Sequence, residues 1–245
     1  MPDLLLAGLG GLAAASTLLI GALAAWFLPV PRAVVAGIMA FGAGVLIATL
    51  AYSLVQDANE AGGILPTVGG FLAGAVLFVV LDHLVSSRGA SRPARSGDDK
   101  DSSGVLLALG ALIDGVPESI ALGLTVASGG ALSIPVLAAI AISNVPEGLS
   151  SSAAMKADGR TAGFVFGMWG GIAGASAIAA LVGFAALRDA PPEVIAVVET
   201  IAAGGILAMV SNSMIPDAFR RDRALTGLIA AAGFVLAFVL HEFGG

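Results

Sequence analysis

Eight times along this chain, a run of about twenty or more residues passes with few or no charges, and that repetition leaves few folds open. The runs cover approximately residues 4–28, 33–55, 64–86, 104–128, 132–154, 161–187, 194–216 and 224–243. Each is long enough to cross a bilayer as a helix, the one single-segment structure in which backbone amides and carbonyls satisfy each other without water. Only 11% of the 245 residues are charged, 58% are hydrophobic, and the mean hydropathy is +0.99. A soluble domain of this length needs far more charge to cover its surface. The expected fold class is an all-α polytopic membrane protein, residues 1–245 forming a single transmembrane domain of eight helices. The first run carries no Lys or Arg ahead of it and is too long for a cleaved signal peptide, so it is expected to stay as a span.

Charge placement orients the expected spans. Ten of the 11 Lys and Arg residues fall in the connections after spans one, three, five and seven, and only Arg188 lies on the other face. The positive-inside rule then puts those connections in the cytoplasm and both termini outside a cell (inner, cytoplasmic) membrane. The only long connection, residues 87–103, is rich in Ser, Gly, Arg and Asp and is expected to be a flexible cytoplasmic linker. With a net charge of −6 the chain offers no case for nucleic-acid binding. Its zero cysteines exclude thiolate metal sites and cysteine nucleophiles. The 34 glycines, set among many alanines, let helix backbones approach closely in lipid, which permits a homodimer without requiring one.

The chain also matches itself. Residues 43–58 align with 203–218 at a constant offset of 160, with Ala43, Gly44, Ala48, Ser53, Asp57 and Ala58 recurring identically. The second span would run outward and the seventh inward, so the repeat is inverted. A 3+2+3 inverted-repeat arrangement is expected, spans one to three mirrored by six to eight around a central pair. Inverted repeats whose interrupted helices meet near the midplane mark secondary transporters.

The central pair carries the densest chemistry. Asp114-Gly115-Val116-Pro117-Glu118 in the fourth span and Ser143-Asn144-Val145-Pro146-Glu147 in the fifth place a proline directly before a glutamate, 29 positions apart. Proline removes an amide donor from a helix, and a carboxylate at membrane depth is costly and functional as a rule. Residues four apart share a helix face, so Asp114 lies with Glu118, and Ser143 with Glu147, Asn144 beside them. Together these residues predict an oxygen-rich cation site, suited to Mg, Ca, Mn or Fe(II) better than to zinc. Gln56 and Asp57 end the second span, where they can gather cations at an entrance or simply be solvated. Asn212 lies on the seventh span along a path to Asp217 at its cytoplasmic end. His83 and His241 sit near membrane faces, where they offer no base to the serines at 150–152, so an enzyme is the least supported class.

These features resemble the ZIP (Zrt/Irt-like) family of divalent metal transporters over nearly the whole chain. Residues 41–58, 70–85 and 204–218 look like that family's second, third and seventh spans. Its fourth and fifth spans typically read His-Asn-x-Pro-Glu-Gly, matched here by Pro117 with Glu118, by Asn144, and by Pro146 with Glu147 and Gly148. Asp114 and Ser143 stand where the family has histidines, Gly115 where it has an asparagine, and Gly174 near the place of a sixth-span acid. The resemblance implies transport of a divalent metal ion (Mn, Fe, Zn, Co or Cd) as cargo, with no tightly bound cofactor. It also implies alternation of the central helices against the outer repeats. Loss of both imidazoles points to one cation rather than two, and away from zinc. Two other readings stay open: a ZIP-fold sensor or assembly protein that no longer transports, and a carrier of a different, organic or proton-coupled solute.

Overall fold

In the computed structural model of the chain, the described residues are 2–87, 103–129, 131–221 and 225–244. They form eight helical rods and no strand. α1 is Pro2–Phe27, and the second rod begins as Arg32–Thr49, becomes π-helical over Leu50–Val55 and continues as Gln56–Gly62, together α2 (32–62). Next come α3 (Ile64–Ser87) and α4 (Ser103–Gly129). They are followed by α5 (Ile134–Ala157) and α6 (Ala162–Leu187). The seventh rod, α7 (192–221), joins Pro192–Met209, a π-helical Val210–Met214 and Ile215–Arg221, and α8 is Thr226–Gly244. Seven of these are long and apolar enough to cross a membrane among the described residues, and α4, helical over 27 residues, is the eighth rod. This is an all-helical protein whose helices suit a multi-pass membrane position.

Local chemistry sets the helix ends. Ser133 accepts a hydrogen bond from the Val136 amide at 3.5 Å, with a proline at the start of α5. Thr161 accepts one from Phe164 at 3.3 Å at the start of α6. Each side-chain oxygen satisfies an amide that the first helical turn leaves unpaired. Gly63 breaks α2 from α3 at φ 84°, a left-handed conformation open to glycine.

Two rods run further than their apolar runs. The second was expected to end at 55 and reaches Gly62; the seventh was expected to end at 216 and reaches Arg221. Polarity ended the hydropathy signal but not the helix, because a helix needs only one buried face to continue. Ala58 and Ala218 provide it, both completely buried. Of the expected linker, 87–103, Ser87 and Ser103 are instead helix ends, and 88–102 lie outside the described residues.

The rods pack through glycines, as lipid-embedded helices do when close backbone approach replaces the hydrophobic drive. α1 packs on α5 and α6, α4 on α6 and α7, α2 on α5 and α8, and α3 on α7. At Gly44 of α2 any side chain would collide with the Ala230 carbonyl of α8, and at Gly204 of α7 with the Phe71 carbonyl of α3. Gly233 of α8 meets Phe41 of α2, and Gly74 of α3 meets Ile201 of α7. Gly21 of α1 packs against Val145 of α5, and Gly183 of α6 against Ile120 of α4. The π segments of α2 and α7 also begin 160 positions apart, at Leu50 and Val210. A second core of α1, α5 and α6 surrounds Trp169, fully buried, whose Nε1 donates to Ser152 at 2.8 Å.

Candidate functional site

Pro117 and Pro146 lie inside α4 and α5, and both helices carry on past them. The residue after Pro117, Glu118, is only 2% exposed. It borders a small cavity, roomy enough for a water-sized sphere, where α2, α4, α5 and α7 meet. The rest of that wall is aliphatic, built from side chains such as Leu46, Leu50, Leu54, Val136, Ile140 and Ile206. The fourth and fifth helices therefore do come together, and Glu118 faces α5 residues one to two turns before the second motif. Glu147 is half-buried on α5.

The neighbours of Glu147 are already engaged. Asn144, 5% exposed, donates from Nδ2 to the Ala14 carbonyl of α1 at 3.1 Å, which leaves Oδ1 as its ligand atom. Ser143, 3% exposed, donates to the Ile140 carbonyl at 2.9 Å and keeps its lone pairs. Gly42 of α2 lies against the Ser143 backbone, so α2 closes over this stretch of α5. Asp114 lies on α4 and Asp217 on α7, but both side chains fall outside the described residues. Among the described residues no three Asp, Glu or His side chains gather as a metal-binding group.

The residues expected at an entrance form a separate cluster at the Gly62 end of the bundle. Gln56, exposed, donates from Nε2 to Glu60 at 3.1 Å. Asp57, also exposed, interacts electrostatically with Glu60, with His241 of α8 and with Glu199 of α7. His241 stacks on Tyr52 with ring centroids 5.7 Å apart, and its Nδ1 lies 3.4 Å from Ser53 Oγ. It is held against α2 at that end of the bundle. Asn212 is exposed on the π segment of α7, away from the Glu118 cavity.

Two functional candidates were not singled out from the sequence. Glu199, 8% exposed, is a buried acid two turns into α7 and faces Asp57. Its signal was available, since it is the one acid deep in an otherwise apolar span. Thr49, 5% exposed, lines the Glu118 cavity, and its Oγ1 has no hydrogen-bond partner. The sequence matches no family model and no curated protein.

Proposed function

We propose that this chain carries divalent metal cations across a cytoplasmic membrane, with Glu118 and Glu147 as the charged ligands. The observation that carries this reading is the position of Glu118, 2% exposed among aliphatic side chains at the junction of four helices. A carboxylate buried at membrane depth is costly to keep and functional as a rule, and a cargo cation is a charge that it can hold. Asn144 Oδ1 and Ser143 Oγ supply neutral oxygens, and Asp114, four residues before Glu118 in sequence, is the third acid of the proposed set. This oxygen-only set favours Mn or Fe(II) over zinc. The likeness to ZIP transporters in the two Pro-Glu motifs supports the same class of cargo.

The 3+2+3 inverted repeat is part of the proposal. It is supported by matching interfaces: Gly44 against Ala230 corresponds to Gly204 against Phe71, and Gly233 against Phe41 to Gly74 against Ile201. The offsets are 160 between α2 and α7 and 159 between α3 and α8. Gly21 in α1 and Gly183 in α6, 162 apart, likewise press on α5 and α4. With the positive-inside orientation, both termini and the Asp57–Glu199 cluster face outward, and that cluster concentrates cations at the mouth. Membrane lipid covers the outer faces of α3 and α8, where Leu65 is 83% and Phe243 87% exposed. A homodimer is compatible with this arrangement.

The test is uptake of Mn, Fe(II), Co, Ni, Zn and Cd into proteoliposomes by the native chain, Glu118→Ala and Glu147→Ala. The expected result is uptake by the native chain and its loss in both variants. Folded native protein that moves none of these ions would refute the proposal.

A further inference from the structure

Glu199 is the buried acid that the ligand set proposed above leaves unused. It is 8% exposed, yet it stands only two turns from the start of α7. The tail of α2 covers it there: Ala58 is completely buried, and a Cβ at Gly62 would press on Ala196, one turn before Glu199. Among the described residues Glu199 has no hydrogen-bond partner, and the charge it faces is Asp57 of α2, which is of its own sign. Among those residues the other elements bring no cation to it. α3 meets this stretch of α7 through Gly70 and Gly74. α4 brings Glu118, which borders Ile206 two turns further along α7, and Asp114 stands a turn before Glu118. Glu60 and His241 act on Asp57 instead. On α7 itself Glu193 is exposed, and Arg188 ahead of it pairs with Asp189 at 3.0 Å.

We propose that Asp57 and Glu199 together are a proton site, which carries one proton until a cation reaches the mouth and then releases it to the water at the Gly62 end. The proposal rests on the cation-transport reading above for that arrival. Two carboxylates that face each other titrate as a pair. With one of them buried, one charge and one proton avoid holding two like charges out of water. A divalent cation at the mouth supplies the opposite charge that the proton otherwise supplies. Cation entry and proton exit are then one exchange, and this end of the bundle couples the two rather than only gathering cations.

The experiment uses the full chain in nanodiscs, comparing native, Glu199→Gln, Asp57→Asn and, as a control on the same helix, Glu193→Gln. Two quantities are read: proton release into weak buffer when Mn²⁺ is added, and thermal unfolding without metal across a range of pH. Glu199→Gln is expected to release about one proton fewer per bound Mn²⁺ than native, with Glu193→Gln equal to native. The site's proton is bound by the folded chain and not by the unfolded one, so native stability falls as pH rises through its titration. Glu199→Gln is expected to match native in acid and to lose that slope. Asp57→Asn takes away the facing like charge, so its slope is expected at lower pH than native. Mn²⁺ binding with release and slope unchanged in Glu199→Gln overturns the proton site and leaves the transport reading standing. No Mn²⁺ binding by the folded native chain overturns the transport reading and the release step, and the slope then decides the proton site alone.

Discussion

Adding one methyl group at Gly44 or at Gly204 tests whether the two halves of the bundle are built alike. At Gly44 a Cβ would collide with the Ala230 carbonyl and lie 2.9 Å from the Phe234 amide nitrogen. At Gly204 it would collide with the Phe71 carbonyl and lie 3.0 Å from the Ala75 amide nitrogen. Both obstacles are backbone, which cannot rotate aside, so each helix pair must part by about 1.5 Å to restore ordinary contact. Even a gap of about 0.5–1 Å forfeits a quarter to a half of the dispersion energy of each contact across the interface. Overpacking of this kind costs about 1–3 kcal/mol, and alanine recovers up to about 1 kcal/mol of helix propensity over glycine. The expected net loss is therefore about 1–2 kcal/mol at either site. The two sites lie in different helix pairs, so the double variant should lose about twice as much.

The assay is unfolding of the purified chain in mixed micelles of rising SDS fraction, followed by circular dichroism. Gly167→Ala and Gly171→Ala, where an added Cβ meets nothing within 4 Å, are the controls and should match or slightly exceed native stability. Equal losses at 44 and 204 with silent controls fit matched interfaces. Native-like unfolding of either variant refutes the packing argument, and a loss at only one refutes the equivalence of the halves.

Two further outcomes follow from single contacts. Asn144→Asp replaces the Nδ2 donor to the Ala14 carbonyl with an acceptor, so the same SDS titration should show a loss of about 2 kcal/mol, against little change at the exposed Asn212→Asp. Asp57→Asn removes one charge from the cluster with Glu60, His241 and Glu199, so the half-saturating concentration for cation uptake should rise several-fold with the maximal rate retained; an unchanged half-saturation would remove Asp57 from the path.

The helices were legible because lipid leaves so little freedom: a span must be long, apolar and helical, and length and polarity can be counted. What the count missed was the polar tail of α2, since Ala58 and Gly62 bury one face against α7 while Gln56, Asp57 and Glu60 face water. The π segments carry no propensity signal of their own. Only the matched residues at 43–58 and 203–218 pointed to those stretches. Of the site, the residue types and the meeting of α4 with α5 could be read from the two motifs. The engagement of Asn144 with α1 could not, because it depends on which helix lies behind α5. The state of Thr49 could not either, because a free hydroxyl and a back-bonded one have the same sequence. Glu199 stands alone in its span, without the paired motif that marks Glu118 and Glu147, although an acid in an apolar span is itself a functional signal.

The wall around Glu118 limits how any cation can reach it. From the Gly62 end the approach passes Leu50 and Leu54, and from the α5 and α7 sides Val136, Ile140 and Ile206. None of these side chains can replace a hydration water, so an ion cannot pass this wall while it stays shut. On the transport reading proposed above, cation arrival at Glu118 is coupled to a movement that wets the cavity. α2 is the helix on which that movement acts most directly. Leu46 and Thr49 precede its π segment, Leu50 and Leu54 lie on it, and Asp57 follows one turn later. A π turn is a place where a helix can take up or release a residue of register, and such turns concentrate at functional sites. A shift of register there would carry the two leucines and Thr49 relative to Glu118 together. If α2 is locked instead, for example by a cross-link between cysteines placed at Ser53 and His241, which already lie side by side, uptake should stop while metal-free stability rises. Undiminished uptake by the cross-linked chain would show that the wall opens without α2.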